Sequence, residues 1–125
     1  MTAEILGAAE LPTLTGDPDF DAIFKDCLRV LRVKGHDYTK GSGFKTDRLG
    51  NFKAAAQRLG LTPEQCLAVH LDKHMAAIFT YCGQGQVESE PIDGRIVDAI
   101  NYLLLLGKMV REKREKQTHL TTAGK

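Results

Sequence analysis

Apolar positions along this chain fall into four helical runs. Phe20, Ile23, Phe24, Cys27, Leu28 and Leu31 keep a helical period, and Asp17-Pro18 ahead of them supply an N-cap and a first helical residue. A first helix is expected from there to about Val33. Leu49, Phe52, Ala55, Ala56 and Leu59 mark a second helix that begins near Thr46 or Asp47 and stops at Gly60. Thr62-Pro63-Glu64-Gln65 is a capping box with proline at the first helical position. It opens a third helix to about Cys82, closed by Gly83, with Leu67, Leu71, Met75, Ile78 and Cys82 as its core face. A last helix starts at Ser89 or Glu90-Pro91 and runs past Met109. Ile96, Val97, Ala99, Ile100 and Leu103 to Leu106 make it apolar on nearly all sides, so it should be central. No segment reads as a strand. The pattern predicts an all-α four-helix bundle over residues 17–116, with a loose arm at 1–16 and a frayed tail at 117–125.

Length and charge narrow the class. A chain of 125 residues makes one domain. The net charge of +1 gives no overall basic field, which argues against a duplex nucleic-acid binder. The charged run from Lys108 to Lys116 alternates acids with bases and reads as a solvated helix end. Cys27, Cys66 and Cys82 are odd in number, widely spaced and set in apolar runs, so they read as reduced core thiols. The run from Ala99 to Leu106 is too short to span a bilayer, and residues 1–16 lack a secretory pattern. A soluble cytoplasmic protein is expected, without a membrane partner.

Candidate chemistry begins in Lys34-Gly35-His36-Asp37-Tyr38-Thr39-Lys40-Gly41-Ser42-Gly43-Phe44. Read as a loop after the first helix, this stretch combines backbone freedom with the donors of Lys34, His36, Tyr38 and Lys40, a combination suited to an anion. An exposed basic connection explains the same residues. On the third helix His70, Lys73, His74, Ala77 and Tyr81 cluster beside the core face. Two histidines at i and i+4 suit a metal, a cationic face for phosphate, or two half-exposed surface groups. On the last helix Arg95, Asp98, Asn101 and Tyr102 form one strip within an apolar helix. A carboxylate there needs a partner. Either Asp98 pairs privately with Arg95, Arg48 or Lys73, or Asp98 and Asn101 face a site shared with Lys73 and the glycine-rich stretch. Arg48 and Asn51 add one polar face on the second helix.

Three of these motifs together resemble the nucleotide-modification-associated domain family of phages and bacteria. Lys34-Gly35-His36-Asp37-Tyr38 resembles its first motif and Asp72-Lys73 its helical aspartate-lysine pair. Glu88 or Glu90, then Asp98, then Asn101-Tyr102 resemble its last motif. The resemblance covers about Val33 to Leu106. It implies a fold similar to MazG-type nucleoside triphosphate pyrophosphohydrolases and a role in nucleotide metabolism, in the host cytoplasm if the chain is phage-encoded. Those enzymes hold magnesium through a glutamate-rich helix and a later Glu-x-x-Asp. Here the first helix has no Glu-Glu-x-x-Glu, and Arg95 stands three residues before Asp98.

Three functions compete. A pyrophosphohydrolase would hold Mg2+ through Asp98 with Asp37, Glu88 or Glu90, and Lys34 and Lys73 would neutralise phosphoryl charge. A binding protein without turnover would grip a nucleotide or cyclic nucleotide through its Lys, His and Arg donors. Tyr38 or Tyr102 would then stack on the base, and Asp98 or Asn101 would read its edge. A helical interaction module would use the polar strips for pairing. A homo-oligomer suits all three.

Overall fold

The computed structural model describes residues 13–39, 47–86 and 91–123, excepting the side chains of 35–39 and 120–123. It contains four helices: α1 (Pro18–Thr39), α2 (Gly50–Leu59), α3 (Pro63–Gln84) and α4 (Ile92–Ala123). No strand occurs among the described residues, and the helices pack on one another as an all-α four-helix bundle. No helix is long and apolar enough to cross a membrane among the described residues.

Local chemistry sets the helix starts. The Asp17 carboxylate accepts from the backbone N–H of Asp19 at 2.8 Å and of Phe20 at 3.2 Å, capping α1. Thr62 and Gln65 satisfy each other's backbone N–H at 3.1 and 2.9 Å, the reciprocal capping box that the sequence predicts for α3. Asp47 accepts from the N–H of Leu49 at 2.9 Å and shapes a turn, so α2 begins at Gly50 instead of at Thr46 or Asp47. Gly60 ends α2 in the left-handed conformation, φ 69°, as expected.

Three helix ends depart from the sequence reading. α1 continues through Gly35 to Thr39, so the first half of the supposed loop is helical. Gly35 costs a helix about 1 kcal/mol relative to alanine. Tertiary ties at Leu31 and Lys34, described below, hold the chain helical across that cost. α3 passes Gly83 and stops at Gly85, which takes φ 78° and donates to the Tyr81 carbonyl at 2.7 Å. α4 continues to Ala123, so the tail expected from 117 is helical for seven more residues.

α4 is central, as expected: α3 packs along it, α1 lies on it, and α2 packs on α3. Leu49, Phe52, Ala56, Cys66, Leu67, Leu105 and Met109 form the core cluster. Burying each large side chain contributes about 1.5 to 3 kcal/mol. α1 contributes less than its periodicity suggests. Cys27 is buried and Leu31 half-buried, while Phe20, Ile23, Phe24 and Leu28 are exposed. Cys82 is exposed as well, which corrects its assignment to the core; Cys27 and Cys66 are buried free thiols.

Candidate functional site

The strip on α4 organises the polar centre of the bundle. Asp98 extends one carboxylate oxygen to the Lys34 ammonium of α1 at 3.2 Å. Its other oxygen faces His74 Nε2 of α3 at 3.9 Å. His74 Nδ1 lies 3.2 Å from Arg95 Nη1, one turn back along α4. A guanidinium has no acceptor, so Nδ1 accepts and the ring proton sits on Nε2, directed at Asp98. Lys34 of α1 and His74 of α3 thus flank one carboxylate, and Arg95 meets His74. Arg95 is 5% exposed, whereas the Lys34 side chain remains 43% exposed.

An aromatic group adjoins this cluster. The His70 and Tyr102 rings stack at 5.9 Å and 7°, and His74 packs on Tyr102 at 5.3 Å and 31°. Phe52 of α2 meets His70 and Tyr102 edge-on at 6.1 and 6.3 Å. Both histidines of the i, i+4 pair are therefore engaged with Tyr102. Beneath, buried Asn101 donates from Nδ2 to the Cys27 carbonyl at 3.1 Å. Its Oδ1 has no hydrogen-bond partner among the described residues. Leu31, Lys34, Asp98, Asn101, Tyr102 and Leu105 line a narrow cleft of about 10 Å³, room for one water and far short of a nucleoside.

The sequence-derived candidates divide. Lys34, Asp98, Asn101 and Tyr102 come together, joined by His74. Arg48 donates from Nη1 to the Leu31 carbonyl at 3.0 Å, tying the turn before α2 to α1. Asn51 is exposed on α2. Lys73, one residue before His74 and about 100° round the helix, is exposed and makes no ion pair among the described residues. Of the partners considered for Asp98, neither Arg48 nor Lys73 makes an ion pair with it; Lys34 does. His36, Asp37 and Tyr38 lie in the last turns of α1, with side chains outside the described residues, and Glu88 and Glu90 lie outside them altogether. Sequence reasoning missed the link from Arg95 to His74. The signal was present in two basic residues, each on a strip already singled out, but spacing within one helix does not reveal contacts between two.

The donor set bears on magnesium. Among the described residues no three His, Cys, Asp or Glu side chains gather to hold a metal ion. Among the described residues Asp98 brings one carboxylate, flanked by an ammonium and an imidazole. Mg2+ requires oxygen ligands. The described residues do not fit it.

Comparison with protein-family models, curated proteins and solved structures finds no match to the chain.

Proposed function

We propose that the protein binds a phosphate-bearing nucleotide at the mouth of the Lys34–His74–Asp98 cluster, without metal-dependent turnover. The observation that carries this reading is the Lys34 ammonium, 43% exposed beside the cleft and held by Asp98, with His74 facing the other carboxylate oxygen. The cleft is too small to admit a nucleoside, so the ligand lies across its mouth. There the partly exposed Lys34 donates to phosphate, and the exposed His70 ring, backed by Tyr102, offers a stacking face to a base.

A second reading treats the cluster as a brace that locks α1, α3 and α4 together. The burial of Arg95 favours it, since a group 5% exposed serves its neighbours before any ligand.

Thermal shift and titration calorimetry of the full chain separate the two. The panel contains inorganic phosphate, nucleoside mono-, di- and triphosphates and cyclic dinucleotides, each with and without Mg2+, and products are followed by chromatography. Binding predicts a salt-sensitive stabilising shift with the nucleotide recovered intact. Lys34→Ala weakens affinity by about 1.5 to 3 kcal/mol, the worth of a charged hydrogen bond. Silence across the panel leaves the brace. Release of pyrophosphate only with Mg2+ overturns the binding-only reading in favour of a hydrolase.

A further inference from the structure

The outer face of α4 is not accounted for by the bundle. Leu103 and Leu104 are 52% and 50% exposed and Val110 37%, in the middle of the helix that α1 and α3 otherwise cover. Ile96 and Ile100 are half-buried and Gly107 is exposed. Ile96, Ile100, Leu103, Gly107 and Val110 are spaced four, three, four and three residues apart. That spacing sets the five on one face of the helix, the arrangement by which one helix packs against another. A Cβ at Gly107 would meet nothing within 4 Å, so packing inside the chain does not require glycine there. A glycine at a seam position does let a second backbone come close.

We infer that this face of α4 pairs with the same face of a second copy of the chain. The charges along its edges choose a second copy over another occupant. The shallow groove along the seam is flanked by Lys108, Arg111, Glu112 and Glu115, two charges of each sign. Such a rim is self-complementary and suits a two-fold contact, and a net charge of +1 sets up little repulsion between copies. The inference stands apart from the nucleotide reading, because neither Leu103 nor Val110 touches the Asp98 cluster.

Sedimentation velocity of the full chain across a hundredfold range of concentration tests it. The chain sediments as a dimer that dissociates on dilution. Leu103→Lys, and separately Leu104→Lys, shifts the species to monomer with far-UV circular dichroism unchanged. Val69→Lys, at an equally exposed apolar position on α3 (67%), leaves the dimer intact. A wild-type chain monomeric at every concentration overturns the inference, as does a dimer that survives both α4 substitutions with the fold intact. A dimer broken by Val69→Lys and not by Leu103→Lys also overturns it, because the pairing face then lies on α3.

Discussion

Lys34 and Asp98, 64 positions apart in the chain, close a 3.2 Å ion pair between α1 and α4. The pair is one reason that α1 remains helical past Val33. Arg48, on the Leu31 carbonyl, is the other. Together they convert a glycine-containing segment that looks like a loop into the last turns of a helix.

Asp98→Asn separates the roles of this pair. The amide keeps the shape and removes the charge, leaving Lys34 and His74 without the carboxylate between them. The Asp98 side chain is 20% exposed, so the loss falls below that of a fully buried pair, at about 1 to 2 kcal/mol. Anion affinity rises in the same variant, because the one repelling charge is gone. Urea unfolding and calorimetric titration with a nucleotide read the two effects. Lower stability with weaker nucleotide binding contradicts the assignment of Asp98 as a counter-ion.

Thr62→Ala removes half of the reciprocal cap at the start of α3. Replacing a threonine cap costs about 1 kcal/mol. Thr62→Asn retains an acceptor and recovers most of that loss. Chemical unfolding of both variants checks the order; equal losses show that the Thr62 hydroxyl does not carry the cap.

The elements most legible in the sequence are those decided within a few residues. Asp17-Pro18, Thr62 to Gln65 and Gly60 each act on backbone groups no more than four positions away, so local spacing suffices. Less legible were features settled between helices. Gly83 and Gly85 look alike as stops, and only the second adopts a positive φ. Phe20, Phe24 and Leu28 have a sound helical period, yet no helix among the described residues covers them. The candidate site divides the same way. The strip of Asp98, Asn101 and Tyr102 could be read along α4, but His74 was read beside Lys73, and only its contacts with Asp98 and Tyr102 single it out.

Leu67→Ala and Leu59→Ala contrast two positions that share the apolar pattern. Leu67 is 1% exposed in the core cluster, and truncation costs about 2 to 5 kcal/mol. Leu59 is 66% exposed at the end of α2, and its truncation stays within about 0.5 kcal/mol. Urea midpoints at constant slope measure both. A large loss at Leu59 means that a surface covers it in solution.

Stability at the pH extremes is tied to Asp47, Lys53 and Asp21. Burial raises the Asp47 carboxyl, but the Lys53 hydrogen bond at 2.9 Å, the Leu49 N–H and the charges of Lys53 and Lys108 outweigh it, and the group titrates below its ordinary 3.8. Asp21 is also lowered, chiefly by the Thr15 hydroxyl at 2.8 Å, against the effect of burial. A carboxylate lowered in the folded state binds fewer protons there than in the unfolded chain. Its contribution is therefore complete above the ordinary carboxylate range and disappears as pH falls through that range and past the lowered value. Lys53 has the opposite sign. Its hydrogen bond to Asp47 raises it above 10.5, offset in part by burial, and Asp47 and Glu112 add to the rise. Its contribution is complete below the ordinary lysine range and is lost as pH climbs past the raised value. Melting temperatures from acid to alkaline pH should show Asp47→Asn flattening the acid limb, with the Asp21 share remaining. Lys53→Met should flatten both limbs, because it removes the donor that lowers Asp47 and the cation that Asp47 and Glu112 hold. An acid limb as steep in Asp47→Asn as in the wild type would assign the acid sensitivity to Asp21 alone.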